Sequence, residues 1–138
     1  MLLAQRFAQV FGIIYLVVGI AGFIPVAPLL VGDLPPPIIG PFDGYLLGLF
    51  AVNWFHSVTH LASGAVGVAV YRSPTGAMSY ALALGVAYLL LFVVGLLTDL
   101  SAFGGLLPLN VIDDILHILT AAVAFGAYFA SRGSREAA

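Results

Sequence analysis

Long apolar stretches alternate with short breaks of proline, glycine and small polar residues along this chain. The apolar stretches cover about 7–24, 53–71, 78–98 and 110–131. A bilayer core about 30 Å thick takes roughly 20 apolar residues in helical form, so each stretch predicts a membrane span. The first stops at Pro25 and Pro28, and the second at the RSPTG sequence, where Pro74 and Gly76 break it. Asn53 and Asn110 stand where the second and fourth helices should begin, and an asparagine oxygen there satisfies a free amide of the first turn. The pattern predicts an all-α integral membrane protein, a four-helix bundle in one transmembrane domain over 1–138, with a short tail at 132–138. Between the first two spans, the PPP run at Pro35–Pro37, Ile38, Ile39 and the apolar piece from Tyr45 to Phe50 predict a segment lying along the outer interface, partly as a short helix. The connection from Asp99 to Leu109 is much shorter.

The polar positions inside the spans repeat. GLFAVNWFHSVTHL (48–61) lies over GLLPLNVIDDILHI (105–118) without a gap. Asn53 then matches Asn110, His60 matches His117, and His56 falls opposite Asp113. Gly12, Tyr15 and Gly22 of the first span match Gly85, Tyr88 and Gly95 of the third at a constant offset. The chain reads as a duplicated two-helix hairpin, repeat 1 at about 5–72 and repeat 2 at about 77–131. Each unit holds an even number of spans, so both copies keep one orientation, related by a pseudo-twofold axis along the membrane normal. Tyr15 and Tyr88 either face the interior and donate toward the histidines or are ordinary interfacial residues, the second reading being preferred, and Trp54, Phe55 and Tyr45 read as an outer aromatic belt.

Composition narrows the picture. The chain is 62% hydrophobic and only 7% charged, against about 25% charged in a soluble domain. With no cysteine, disulfides and thiolate sites are excluded. No basic patch exists, which excludes nucleic acid as a partner. The first apolar run is long and lacks a small-residue cleavage site, so it reads as a retained span. Arg6, Arg72, Arg132 and Arg135 fall on one side of the predicted spans, and Asp33, Asp43 and Asp99 on the other. By the positive-inside rule both termini are cytoplasmic, in the inner (plasma) membrane.

The tandem GL-x-x-[V/L]-N motif opening a span, with the VNWFHSVTHL block and the PLN-to-His block, resembles the bacterial membrane proteins of domain-of-unknown-function family 4383. The resemblance covers most of the chain and implies a four-helix integral membrane protein. It brings no activity and no catalytic residue with it.

The chain's three histidines all sit in the repeated element. Residues four apart share a helix face about 6 Å apart, which pairs His56 with His60 and Asp113 with His117. A twofold axis would turn the pairs toward each other, with Asp114 and Thr59 as auxiliaries. Ionisable groups inside a span raise a functional hypothesis. Three imidazoles and a carboxylate suit a transition metal, zinc or iron first. Alternatively, His60 and His117 would be axial ligands of a b-type haem, or a metal-bound water would serve proton or hydrolytic chemistry. The structural alternative is that these groups only hydrogen-bond one another between helices. In that case the protein is an accessory subunit of a larger membrane complex, or a homo-oligomer, in the lipid bilayer. The mismatch of His56 against Asp113 favours the mixed-ligand metal site, because hydrogen bonding alone gives no clear reason for it. Nothing in the sequence points to a substrate, which weighs against an enzyme.

Overall fold

The structure is a computed structural model that describes residues 1–27, 41–97, 101–102 and 106–136 of the chain. Helix α1 (Leu3–Ala21) is followed by strands β1 (Gly44–Leu46) and β2 (Phe50–Val52), then α2 (Trp54–Val70) and α3 (Pro74–Leu97). Strands β3 (Ser101–Ala102) and β4 (Leu107–Pro108) precede α4 (Val111–Glu136). The PPP run, Asp33, Ile38, Ile39 and Asp99 lie outside the described residues.

Among the described residues three helices are long and apolar enough to cross a membrane, α1, α3 and α4. The fourth, α2, has 17 residues and is about 26 Å long at 1.5 Å per residue, a little under the bilayer core. Of the four expected spans, three therefore reach spanning length and the second falls short of it. Pro74 also differs from its expected role as a breaker. It occupies the first turn of α3, where its missing N–H costs nothing, and the Ser73 hydroxyl accepts the Gly76 amide at 3.1 Å.

The helices pack as two hairpins, α1 on α2 and α3 on α4, with α1 also touching α3 and α4, and α2 touching α3. The α1–α2 crossing depends on glycine. A Cβ at Gly64 would stand 2.6 Å from the Leu16 amide nitrogen, and one at Gly12 would stand 2.8 Å from that of Val68. Small residues allow such backbone approach where lipid offers no hydrophobic drive to associate. The shared core is narrow, built from Ala4, Ala8, Ala77, Ala81, Ala121 and Ala124 with tyrosines filling the gaps. Ile13, Val17, Leu90 and Leu119, by contrast, face outward.

The connection after α1 is expected to lie partly as a short helix; residues 28–40 of it lie outside the described residues, and the described part forms an antiparallel hairpin, pairing Gly44 with Val52, Tyr45 with Ala51 and Leu46 with Phe50. Its turn carries consecutive positive φ values at Leu47 (55°) and Gly48 (72°), the backbone of a primed hairpin turn. A second, shorter hairpin pairs Ser101 with Pro108 and Ala102 with Leu107. The strands β2 and β4 touch each other at the end of the bundle where α2 and α4 begin.

At the opposite end, polar groups tie the helices together. The Ser131 hydroxyl accepts the Ala4 amide at 2.8 Å, and Gln5 Nε2 donates to the Arg72 carbonyl at 3.0 Å.

Candidate functional site

Each asparagine makes two kinds of bond. Asn53 Oδ1 accepts the His56 amide and Asn110 Oδ1 accepts the Asp113 amide, both at 2.9 Å. These bonds cap α2 and α4 where free amides would otherwise go unsatisfied. The amide nitrogens reach across to the other hairpin. Asn53 Nδ2 donates to the Leu106 carbonyl at 2.9 Å, and Asn110 Nδ2 donates to the Leu49 carbonyl at 2.6 Å. Both asparagines are fully buried.

Strand β2 poses an edge problem. Tyr45 turns its N–H and C=O to Val26, bonding at 3.1 and 2.9 Å. In this alternating ladder the N–H and C=O of its partner Ala51 therefore point the other way. Buried edge groups must find partners. Asp113 Oδ2 accepts the Ala51 amide at 3.1 Å and also the Asn110 amide at 3.0 Å. His56 Nδ1 lies 3.0 Å from the Ala51 carbonyl. A carbonyl only accepts, so that nitrogen carries the proton. The backbone of Pro108 lies beside the same imidazole.

Deeper in the bundle the rings form a ladder. His56 stacks on His60 at 4.7 Å between centroids. His60 meets Tyr15 at 5.1 Å, Tyr15 meets Tyr88 at 5.8 Å, and Tyr88 meets His117 at 5.1 Å. Tyr15 and Tyr88 are buried in the centre and not at an interface, which corrects their expected place. The signal for this lay in the sequence: each follows a matched glycine by three residues, Gly12 and Gly85, so it shares the packed helix face.

The ladder also decides the metal question. His60 and His117 stand on opposite sides of the tyrosine pair, His56 is engaged with Ala51, and Asp113 is engaged with two backbone amides. Among the described residues no group of three or more His, Asp or Glu could hold a metal ion. The expected convergence of His56, His60, Asp113 and His117 on a metal or b-type haem is therefore corrected. Thr59, an expected auxiliary, bonds its own helix at the Phe55 carbonyl, 2.8 Å away. Asp114 packs against Gly95 of α3, and a Cβ there would collide with its carboxylate. His117 Nδ1 is 3.8 Å from Asp114 Oδ1, an ion-pair distance but too long for a hydrogen bond.

Beside the ladder lies a cavity of about 360 Å³ between α1 and α4. Its lining includes His60, His117, Tyr15 and Tyr88, with His56, Asp113 and Thr120, and is otherwise apolar.

The family model described as Domain of unknown function (DUF4383) matches residues 5–130. No curated protein and no solved structure matches the chain.

Proposed function

The chain belongs to the DUF4383 family, and on that footing we propose that it is a structural or accessory membrane subunit whose buried His/Asp/Asn cluster latches two helical hairpins together. The observation that carries this reading is the reciprocal pair of cross-hairpin bonds, Asn53 to Leu106 and Asn110 to Leu49. Leu49 and Leu106 are themselves matched positions, as are the two asparagines. Such an exchange is what a pseudo-twofold axis along the membrane normal would produce, and it supports two repeats, 5–72 and 77–131, in one transmembrane domain.

The mismatch of His56 against Asp113 has a hydrogen-bonding cause in this reading. Ala51 and Pro108 stand two residues before the respective asparagines. Ala51 has an N–H, so the facing residue must accept, and Asp113 does. Pro108 has none, so the facing residue is free to be a donor, and His56 donates to a carbonyl. A metal is not needed to explain the pair.

In the membrane, α2 would complete its crossing with the β1–β2 hairpin packed at its buried start, giving four crossings. Arg6, Arg72 and Arg132 then lie on the cytoplasmic side of the plasma membrane with both termini. Membrane hydrogen bonds average only about 0.6 kcal/mol, so the latch acts through its number of bonds and through the cost of orphaned groups. The outward apolar faces of α1, α3 and α4 remain for lipid or for helices of a larger complex. Cross-linking in intact membranes followed by purification in mild detergent tests the subunit role. A discrete, reproducible assembly larger than one chain is expected, whereas recovery of the monomer alone contradicts it.

A further inference from the structure

The cavity between α1 and α4 is not used by the latch, and its chemistry is specific. Its mouth is formed by Ile14, Leu116, Leu119 and Val123, side chains exposed on the lipid-facing surface. A ligand therefore enters from the hydrocarbon phase. The floor is different in kind. His117 is buried and His60 partly buried, and the Nδ1 atom of each is enclosed by protein with no hydrogen-bond partner, so a ligand is left the Nε2 atoms. The two tyrosines stack between them, and the Tyr15 hydroxyl lies within reach of Thr120. Unpaired buried polar groups are costly, and the imidazoles that carry them line an apolar cleft. A few convergent polar groups in an apolar cavity are what small-molecule sites share, and the volume falls at the small end of their range.

Charge narrows the ligand further. Asp113 contributes to the lining, and no arginine does. An anionic headgroup would find no counter-charge and would meet a carboxylate. Asp113 in turn spends one oxygen on two backbone amides, and the Tyr15 and Tyr88 hydroxyls lie within hydrogen-bond reach of each other, while the imidazoles offer N–H donors. A neutral acceptor fits these groups, and a flat one can lie along the ring ladder. The turn supplies an independent sign. Leu47 lines the cavity while holding φ at 55°, a left-handed conformation unfavourable for a non-glycine residue. Such strain gathers at ligand sites, and glycine would relieve it but leave that part of the cavity wall bare.

We propose that this cavity binds a neutral, lipid-soluble molecule with a flat carbonyl-bearing ring, a quinone in chemical class. Its carbonyl oxygens accept from His60 and His117, its ring lies against the Tyr15 and Tyr88 rings, and its tail leaves between α1 and α4. The test uses the whole protein in mild detergent, titrated with a short-tailed benzoquinone and, in parallel, with the same tail on a plain benzene ring. Calorimetry should give saturable binding of the quinone at one per chain. The carbonyl-free analogue should bind about tenfold more weakly or worse, the equivalent of one lost hydrogen bond. His60→Ala should weaken the quinone by a similar factor. Because that variant alters a buried position, Leu119→Trp serves beside it. It changes a lipid-exposed residue, leaves the helical circular dichroism unchanged and blocks the mouth, so quinone binding should vanish. Equal binding of both compounds would mean an acyl-chain crevice only and overturns the proposal. So does the absence of saturable binding to the folded protein, or undiminished binding in Leu119→Trp.

Discussion

As hydrogen-bonding backbones Ala51 and Pro108 differ by one amide hydrogen, and in the proposed latch that difference decides which side chain faces each of them. Asp113 answers the Ala51 N–H at 3.1 Å, while His56 answers the Ala51 carbonyl at 3.0 Å beside a proline that donates nothing. His56→Asp should therefore put a carboxylate against a carbonyl and destabilise the protein by about 1–3 kcal/mol, the cost of unpaired buried polar groups. Adding Pro108→Ala restores an N–H for that carboxylate and should recover a good part of the loss. Denaturation of the single and double variants in mild detergent checks this, and a Pro108→Ala change that deepens the loss would refute the explanation. At this scale the sequence exposed the polar residues but not their partners. His56, His60, Asp113, His117, Asn53 and Asn110 could be found by spacing alone. What they bond is mostly backbone, at Ala51, Leu49 and Leu106, and backbone groups carry no signature in a sequence. Tyr15 and Tyr88 were legible through their matched glycines, yet aromatic residues in apolar spans fit an interface equally well until a neighbour is known.

Helices α1 and α2 meet through glycine, and α3 and α4 through glycine against a larger side chain. Gly64 has the Leu16 amide nitrogen 2.6 Å from where a Cβ would sit, whereas Gly126 has nothing within 4 Å. Gly64→Val should separate α1 from α2 and abolish stable folding, or lower stability by more than the roughly 1–3 kcal/mol typical of overpacking. Gly126→Ala should be neutral or slightly stabilising, because alanine is the better helix former. Melting curves of the two variants make the comparison, and equal effects would mean that the close crossing is not what holds the hairpin. Element type was readable wherever the apolar run was long, since length separates a spanning helix from other choices. The β1–β2 hairpin was not readable. Its turn places Leu47, and not asparagine or aspartate, at a positive-φ position, so the usual turn signal is missing from YLLGLF. The role of Pro74 was likewise obscured, since the same proline ends one helix pattern and starts the next.

For the molecule as a whole, the polar residues divide by end: asparagines, His56 and Asp113 with the two hairpins at one end, Gln5, Arg72 and Ser131 at the other. The absence of cysteine makes labelling direct. Asp43→Cys, exposed ahead of β1, should react with an impermeant maleimide in intact cells, and Ser73→Cys should react only after the membrane is opened. The reverse pattern would invert the proposed orientation. Broad architecture was legible at this scale because composition and the period of apolar runs answer directly to the bilayer. The meeting of α2 and α4 across Tyr15 and Tyr88 was not, since helix rotation is set by packing that no single segment encodes.

The central claim is that the buried cluster is a latch made of hydrogen bonds and not a metal centre. Equilibrium unfolding of the purified protein in mild detergent, with and without a strong chelator, beside Asp113→Ala, tests it most directly. Chelation should leave the transition where it was, while Asp113→Ala should lower stability by about 2 kcal/mol, because the Ala51 and Asn110 amides lose their common acceptor. A fall in stability on chelation, matched by an Asp113→Ala protein that chelation no longer affects, would contradict the claim.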